Sequence, residues 1–267
     1  MNAAPSAKVS IDLNCDMGES FGAYTLGMDG EIIAHISSAN IACGFHAGDP
    51  LVMSRTVLLA RQHGVAVGAH PGYPDLQGFG RRTMDCTAAE LEASVRYQVG
   101  ALYAFCQEHG VPLCHVKPHG ALYNSLVGND TLTRAVARAI ASFDRGLFMV
   151  ALAGGYGERA RAIGREEGIE TLLEAFPDRA YTPQGTLQSR RLPGAVIHDA
   201  AKAARRAVRM AVEGVVEAVD GSLVELRADT LCVHGDNPNG VALAAEIRRR
   251  LEEAGVAVTA RKRPEID

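Results

Sequence analysis

The sequence predicts a parallel α/β barrel of seven β/α units, a (β/α)7 barrel of the TIM type, and three features of the chain support this prediction. Short apolar segments alternate with longer segments of helical periodicity, which is the pattern of βαβ units. Polar residues, several of them histidines, follow the apolar segments where strands would end. No linker, repeat or low-complexity segment interrupts the pattern, so we expect one domain over residues 1–267. An open doubly wound sheet is the alternative architecture.

Seven short apolar segments are predicted to be strands, and each is followed by a polar turn. They cover residues 9–13, 37–43, 65–69, 113–117, 147–153, 168–173 and 229–233. Residues 71–82 are rich in glycine and proline and are therefore predicted to form a loop. Residues 179–193 are irregular and long enough to be a functional lid, and residues 256–259 form a short apolar tail.

The segments between these strands are predicted to be helices, and two of them carry clear boundary signals. Pro50 opens a helix over residues 50–63, and Gly64 ends it. Thr87 and Glu90 have the spacing of a capping box, and Gly110 ends the long helix that follows. Further helices are predicted over residues 122–142, 198–219 and 241–255. A basic helix that ends at residue 165 is also predicted.

Composition narrows the class of protein. Apolar residues make up 47% of the chain, and the net charge of −4 arises from interspersed charges, which argues against a nucleic-acid-binding protein. Six cysteines form no CxxC pair, as expected for reduced, buried thiols. No segment approaches the roughly 18 apolar residues of a membrane helix, and the first residues lack a signal-peptide core. We therefore expect a cytoplasmic protein without a membrane partner.

The polar residues at the strand ends are the candidate functional residues. Catalytic residues of parallel barrels collect at the carboxyl ends of the strands, so we expect these side chains to lie together. The candidates, in chain order, are Asp12, Asn14, Asp16, Glu19, His46, Asp49, His70, His115, Lys117, His119, Glu174, Asp178, Arg179, His234 and Asp236.

Strand geometry groups some of these residues. Successive side chains alternate between the faces of a strand, so Asp12, Asn14 and Asp16 share one face while the strand stays extended. Unpaired charges on an apolar barrel wall would be costly, so these groups are expected to meet one another or a ligand. Aspartate and histidine from separate strands suit a divalent metal that activates water. They suit general-base catalysis without a metal equally well.

Each candidate also has a plainer structural interpretation. A single histidine such as His46 is more often a hydrogen-bonded structural residue, but four histidines at four strand ends favour a site. Cys15 and Cys43 lie near histidines, yet nothing marks either as a low-pKa thiol, so packing is the better interpretation. The glycine-rich residues 154–157 are a weak signal for anion binding, and no P-loop sequence occurs in the chain.

Six segments of the chain resemble the LamB/YcsF family. Two of them read Asp-Leu-Asn-Cys-Asp-Met-Gly-Glu at residues 12–19 and Val-Lys-Pro-His-Gly-Ala-Leu-Tyr-Asn at residues 116–124. The others are residues 39–50, residues 68–75 with 78–82, residues 176–181 and residues 233–238, and all six follow the family's order over nearly the whole chain. At Gln184 the family often carries an acidic residue, so no role is transferred to that position.

The resemblance implies the A subunit of an ATP-dependent 5-oxoprolinase, which works with partner subunits B and C to open 5-oxo-L-proline (pyroglutamate) to L-glutamate. It also implies a barrel of the glycoside hydrolase/deacetylase superfamily, and a homo-oligomer is compatible with it. Because the chain has no P-loop, we expect ATP to be bound wholly or partly by the partner subunits.

Roles for individual residues follow from the resemblance and the strand-end pattern together. Asp16 or Asp12 would position and deprotonate water, assisted by a histidine. Lys117 and Arg179 would neutralise a carboxylate, a phosphate or the developing oxyanion. The expected catalytic set is Asp12, Asp16, His46, His70, Lys117, His119, Asp178, Arg179, His234 and Asp236. The expected substrate-binding set is Asn14, Glu19, Asn40, Asp49, Tyr123 and Arg190, and the expected ligands of a divalent metal are Asp16, His46 and His70.

Two other functions fit the same residues. The first is a stand-alone metal-dependent deacetylase or amidohydrolase that acts on a sugar or a small amide. The second is a non-catalytic subunit that binds 5-oxoproline and delivers it to a partner.

Overall fold

A closed parallel barrel forms the centre of the structure, a computed structural model that describes residues 9–235 and 238–263. The first six barrel strands are β1 (Ser10–Met17), β2 (Ser38–Ala42), β3 (Ala66–His70), β4 (Leu113–Val116), β5 (Phe148–Leu152) and β6 (Thr171–Ala175). A two-stranded antiparallel hairpin, β7 (Val215–Glu217) and β8 (Leu223–Glu225), precedes the seventh barrel strand, β9 (Thr230–Val233). Because β1 pairs with both β2 and β9, the barrel closes, and the predicted (β/α)7 barrel is confirmed over the open sheet.

Helices surround the barrel and connect its strands. They are α1 (Asp29–Ile32), α2 (Pro50–His63), α3 (Ala88–His109), α4 (Gly120–Leu126), α5 (Asp130–Phe143), α6 (Gly157–Glu167), α7 (Ala200–Val212) and α8 (Pro238–Glu253). A 3-10 turn (Ile33–His35) follows α1, and the short strand β10 (Ala257–Val258) pairs with the beginning of β1. Among the residues that the structure describes, none of these helices combines the length and apolar character needed to cross a membrane.

The helix boundaries with strong local signals lie where the sequence predicts them. Asp49 caps α2 by accepting hydrogen bonds from the next amides, and Gly64 ends the helix in the left-handed conformation with φ +66°. Thr87 and Glu90 form the reciprocal capping box at the start of α3. These caps satisfy amide groups that have no partner inside the helix, which is why the sequence signal is so direct.

Other predicted boundaries are wrong, and each error has a local cause. The helix predicted over residues 122–142 is two helices, because Gly128 adopts φ +77° and Asn129 then caps α5. The helix predicted over residues 198–219 ends at Val212, since Gly214 turns the chain with φ +67° into the β7–β8 hairpin. The sixth strand lies at Thr171–Ala175 rather than at residues 168–173.

Strand β1 continues to Met17, well beyond the predicted end at residue 13. Asn14 and Asp16 therefore lie within the strand, where Asp16 pairs in register with Asn40 of β2. Asn40 in turn pairs with Gly68 of β3, and Gly68 pairs with His115 of β4. A Cβ at Gly68 would lie 2.0 Å from His115 Nε2, so only glycine leaves room for the imidazole. A belt of polar side chains thus crosses the barrel interior.

Candidate active site

A cleft of about 700 Å³ opens at the carboxyl ends of the barrel strands. Its walls include Phe79, Phe176 and the segment from Thr186 to Arg191, which belongs to the predicted irregular stretch. The cleft brings together many of the residues expected from the sequence, namely Asp16, Glu19, His70, Lys117, His119, Tyr123, Arg179, Arg190 and His234. The strand-end site of a parallel barrel is therefore present as a single concave surface.

Lys117 and two carboxylates form the floor of the cleft. The Lys117 ammonium donates to Asp16 Oδ1 at 2.9 Å and lies 2.8 Å from Glu174 Oε1. Burial alone would lower the pKa of Lys117, but the charges around it, that of Asp16 foremost, hold the pKa well above its usual range. Lys117 is therefore a permanent buried cation. Glu174 stands at a predicted strand end but outside the expected catalytic set, and the structure adds it as the counterion.

Asp16 keeps its negative charge in this surrounding. Burial would raise the pKa of its carboxyl, yet His70 and Lys117 hold that pKa well below the usual range. Its Oδ1 also accepts a hydrogen bond from Asn40 Nδ2 at 2.9 Å, while Oδ2 lies 3.3 Å from His70 Nε2. Lys117 and Asn40 thus hold Oδ1 from beneath the cleft, whereas Oδ2 faces His70.

Asn14 and Asn40 support Asp16 from beneath the cleft. Asn40 Nδ2 also donates to Asn14 Oδ1 at 2.7 Å, and His115 Nε2 donates to Asn40 Oδ1 at 2.7 Å. Neither amide is among the residues that line the cleft. Both residues therefore lie in the barrel interior beneath Asp16, and the substrate contact expected of them from the sequence stays a prediction.

Two further expected residues lie away from the cleft. Asp12 accepts hydrogen bonds from the hydroxyl groups of Ser37, Ser38 and Thr230 at 2.6–2.7 Å, and burial raises its pKa. Asp12 thus lies deeper in the barrel than Asp16, and its expected role as a base stays a prediction. Asp49 caps α2 and also accepts from the Gly22 amide, contacts that give it a structural role. The substrate contact expected of Asp49 from the sequence stays a prediction. Asp236 lies outside the described residues.

Three histidines form the wall above Asp16. His70 Nδ1 lies 2.6 Å from the carbonyl oxygen of Lys117, and His119 Nε2 lies 2.8 Å from that of Phe79. A carbonyl oxygen can only accept, so each of these nitrogens carries the proton. The other two nitrogens, His70 Nε2 and His119 Nδ1, then face each other at 3.0 Å.

His46 completes this wall by stacking on His119. The two rings are 3° from parallel with centroids 3.7 Å apart, and His46 Nε2 lies 3.3 Å from Glu19 Oε1. Burial lowers the pKa of His46 well below its usual value. Burial, and the repulsion that a protonated His46 would exert, lower the pKa of His119 to about 2. Both imidazoles of the stacked pair are thereby kept neutral.

Gly80 allows the two stacked rings to lie so close to the loop. It has φ +62°, and a Cβ at this position would lie 2.7 Å from His46 Cβ and 2.8 Å from His119 Cδ2. The neighbouring Phe79 supplies the carbonyl that orients His119. The glycine-rich loop at residues 71–82 is therefore part of the site. Gly78 and Gly80, two closely spaced glycines, are the feature of the sequence that could have indicated this role.

A second charged pair lies across the cleft. His234 Nδ1 donates to Asp178 Oδ2 at 2.8 Å, and Arg190 approaches His234 Nε2 at 3.4 Å. Burial would lower the pKa of His234, but the Asp178 carboxylate raises it above its usual value. Arg179 donates to the carbonyl groups of Ala195 and Gln188, which fixes its guanidinium beneath the segment that covers the cleft.

Tyr123 and the cysteines have defined protonation states. Burial, reinforced by the charge of Glu174, raises the pKa of Tyr123 well above its usual value, so its hydroxyl stays protonated against the cleft. Burial likewise raises the pKa of Cys15, and that of Cys43 to about 12. Both thiols are neutral and buried, which agrees with packing. Cys232 accepts from Lys117 Nζ at 3.2 Å, a contact that the sequence does not reveal.

The fold and the site define a class: an α/β barrel with a carboxylate–lysine–histidine centre at the carboxyl ends of its strands. The chain belongs to the LamB/YcsF family, whose sequence profile matches residues 11–265. The resemblance seen in the sequence motifs is thereby confirmed.

Relatives of known name cover nearly the whole chain. A protein of Thermococcus sibiricus that is named as the A subunit of 5-oxoprolinase is 54% identical over 250 residues, which are 94% of this chain and 97% of the relative. A protein of the same name from Natranaerobius thermophilus is 57% identical over 93% of this chain and 95% of its own. These names support a hydrolase role.

Solved structures agree with this relationship. The lactam utilization protein of Thermus thermophilus superposes with a TM-score of 0.88 at 52% identity, covering 94% of this chain and 99% of its own. A putative cellobiose-phosphate cleavage protein of Enterococcus faecalis shares the fold alone, with a TM-score of 0.55 at 14% identity over 95% of this chain and 97% of its own.

Proposed function

We propose that this chain is the A subunit of an ATP-dependent 5-oxoprolinase and that its cleft opens the lactam ring of 5-oxo-L-proline to give L-glutamate. The observation that carries the proposal is the 54–57% identity, over almost the full chain, to proteins named as the A subunit of 5-oxoprolinase. The name of the Thermus thermophilus neighbour, lactam utilization protein, points to the same class of substrate.

The charges and apolar walls of the cleft suit this substrate. 5-Oxoproline carries one carboxylate beside a small ring that is apolar except for its amide. Arg179 and Arg190 line the cleft and supply positive charge for the carboxylate, while Phe79 and Phe176 offer apolar surface to the ring methylenes. The cleft is larger than a lactam of this size requires, which leaves room for a phosphoryl group on the bound ring.

Asp16 is the candidate that positions and deprotonates water. Lys117 and Asn40 hold its Oδ1, so Oδ2 is the oxygen available to a water molecule in the cleft. The Lys117 ammonium lies beside this position and would stabilise negative charge that develops on the lactam oxygen. His234, whose pKa Asp178 raises, is the candidate donor of a proton to the departing ring nitrogen.

The low pKa of Asp16 makes it a weak base, which favours a reaction whose electrophile has been activated first. Transfer of the terminal phosphoryl group of ATP to the lactam oxygen would provide that activation. One water molecule then adds to the carbon that carries this oxygen, and the carbon–nitrogen bond breaks to leave the ring-opened amine as an acyl phosphate. A second water molecule hydrolyses the acyl phosphate and releases phosphate and glutamate. The chain contains no P-loop, which supports ATP binding wholly or partly by subunits B and C.

Reconstitution with subunits B and C tests the proposal, with ATP consumption and glutamate formation followed in the same sample. The wild-type chain is expected to couple the two. Asp16→Asn is expected to lower glutamate formation by about 100-fold or more, within the range for loss of a general base. Arg250→Ala, on the exposed face of α8, is the matched control and is expected to behave as wild type.

Three results would contradict the proposal. Full activity of Asp16→Asn would remove the cleft from the reaction. Hydrolysis of amides by the isolated chain, without ATP or partners, would indicate the stand-alone amidohydrolase. Substitutions that change only the affinity for 5-oxoproline, and never the rate of ring opening, would indicate a delivery subunit.

A further inference from the structure

The two facing nitrogens of His70 and His119 require either a shared proton or a metal ion between them. Each ring donates its other N–H to a backbone carbonyl, so a neutral ring has a lone pair on the facing side. His70 Nε2 and His119 Nδ1 are nevertheless only 3.0 Å apart. Asp16 Oδ2 lies 3.3 Å from the first nitrogen, and Glu19 Oε1 lies 3.6 Å from the second. Four electron-rich atoms at these distances repel one another unless positive charge lies among them.

The spacing matches the ligands of a small metal ion. Metal–ligand bonds of about 2.0–2.2 Å in tetrahedral geometry place neighbouring ligand atoms about 3.3–3.6 Å apart. The observed separations of 3.0 Å between the two nitrogens and 3.6 Å from His119 Nδ1 to Glu19 Oε1 are close to this range. Ligating histidines also commonly donate their second N–H to a backbone carbonyl, as both rings do here.

His46 is close to this point but is not placed as a ligand beside His119. The rings of His46 and His119 are 3° from parallel at 3.7 Å, so an ion between them would lie about 1.8 Å out of each ring plane. A metal–nitrogen bond of about 2.0 Å to an ion so far out of plane would be directed away from the lone pair of the nitrogen, which lies in the ring plane. His70 is instead perpendicular to His119, with an interplanar angle of 89°, and the lone pairs of perpendicular rings can converge.

We propose that Glu19, His70 and His119 bind one divalent transition-metal ion, with Asp16 beside the open coordination position and His46 supporting Glu19 from outside. This ligand set replaces the Asp16, His46 and His70 expected from the sequence. Two histidines and one carboxylate with an open position are a common arrangement for zinc, iron and related ions. A bound ion would supply Lewis-acid chemistry at the wall of the cleft that faces Asp16.

A second cluster, Asp16, Cys232 and His234, is the competing location for an ion. Lys117 Nζ lies 3.2 Å from Cys232 Sγ, so a permanent cation already occupies its surroundings. Burial also raises the pKa of the Cys232 thiol well above its usual value, which opposes the thiolate that a metal needs. These two features favour the cluster around Glu19 as the location of the ion.

Metal binding by the isolated, untagged full chain tests the inference without lactam, ATP or partner subunits. The chain is treated with a chelator, dialysed, and titrated with Zn²⁺, Mn²⁺ and Co²⁺, with elemental analysis and calorimetry as readouts. One equivalent per chain is expected, together with a visible Co²⁺ absorption spectrum and a higher melting temperature. Glu19→Gln, which preserves shape, and His119→Asn are each expected to abolish stoichiometric binding.

Three control variants separate ligands from neighbours. His109→Asn alters a histidine that is bound to Ser54 on the outer helices and should bind metal as wild type does. Cys232→Ser should retain one equivalent. His46→Asn should retain it with an affinity lowered by about 10- to 100-fold, as expected for loss of a group that orients a ligand.

The possible outcomes each decide the question. Absence of stoichiometric binding by the wild-type chain would overturn the inference and indicate that His70 and His119 share a proton instead. Unchanged binding by Glu19→Gln and His119→Asn, or loss of binding in Cys232→Ser, would place the ion elsewhere and overturn it equally. Because these readouts need no substrate, they stand or fall independently of the proposed lactam chemistry.

Discussion

Replacement of Lys117 by methionine is expected to destabilise the protein strongly, because it removes the cation shared by two buried carboxylates. Lys117 Nζ lies 2.9 Å from Asp16 Oδ1 and 2.8 Å from Glu174 Oε1, and the Glu174 side chain is fully buried. Loss of one partner of a buried ion pair costs about 3–5 kcal/mol, since the remaining charge is uncompensated. With a urea m-value of about 3 kcal/mol/M, the unfolding midpoint would fall by about 1–1.7 M.

A second substitution distinguishes lost charge pairing from lost packing. In the double variant with Lys117→Met and Glu174→Gln, one of the two orphaned carboxylates is gone, so part of the lost stability should return. The coupling free energy from the double-mutant cycle is expected to exceed about 1 kcal/mol. Methionine has a similar length to the lysine stem, so packing changes are small in both variants.

The pH dependence of unfolding provides an independent check with a definite sign. In the wild type, the lowered pKa of Asp16 stabilises the fold above the unfolded value near pH 4, and this contribution is lost as the pH falls further. In Lys117→Met, the Asp16 carboxylate loses one of the charges that lower its pKa and is protonated more readily in mild acid, so the stability deficit relative to wild type should shrink as the pH falls toward about 5. A deficit below about 1 kcal/mol that does not vary with pH would refute the reasoning.

Three further substitutions address other parts of the site. Gly80→Ala should cost about 1–3 kcal/mol in urea unfolding and lower activity, since its Cβ would collide with His46 and its φ is positive; a stability equal to wild type would contradict this. Asp178→Asn should lower the pKa of His234 in an NMR titration, because the carboxylate that raises it is gone; an unchanged titration would count against the pair. Asp12→Asn should reduce stability by about 1–3 kcal/mol yet leave ring opening in the reconstituted enzyme intact; selective loss of activity would restore Asp12 as a base.

Local signals explain which parts of the fold follow from the sequence. Pro50, Gly64, Thr87 and Glu90 act on amide groups within one turn of themselves, so their effect does not depend on the rest of the chain. The turn at Gly128 is harder to recognise, because the residues on both of its sides have helical periodicity and an isolated glycine is tolerated in a helix. Such breaks are decided by how the flanking segments pack on the barrel.

The same distinction between local and long-range effects explains which parts of the site follow from the sequence. Alternation along β1 correctly places Asp12 and Asp16 on one face, but it contains no information on depth along the barrel axis. Depth depends on strand tilt and stagger, which are properties of the closed barrel. Asp12 therefore meets Ser38 and Thr230 in the interior, whereas Asp16 meets Lys117 at the cleft. The full extent of β1 is missed for a related reason, since its polar residues are satisfied only by partners distant in sequence.

The electrostatics of Asp16 connect the cleft to the proposed need for ATP. A carboxylate whose pKa is held well below its usual range by His70 and Lys117 is ionised at neutral pH but attracts protons weakly. General-base catalysis is most efficient when the pKa of the base is near the working pH, so Asp16 alone is poorly matched to an unactivated amide. The same Lys117 that weakens the base is placed to stabilise an oxyanion. A site with a weak base and strong anion stabilisation is suited to an electrophile that arrives already activated, which is what phosphorylation by partner subunits would provide.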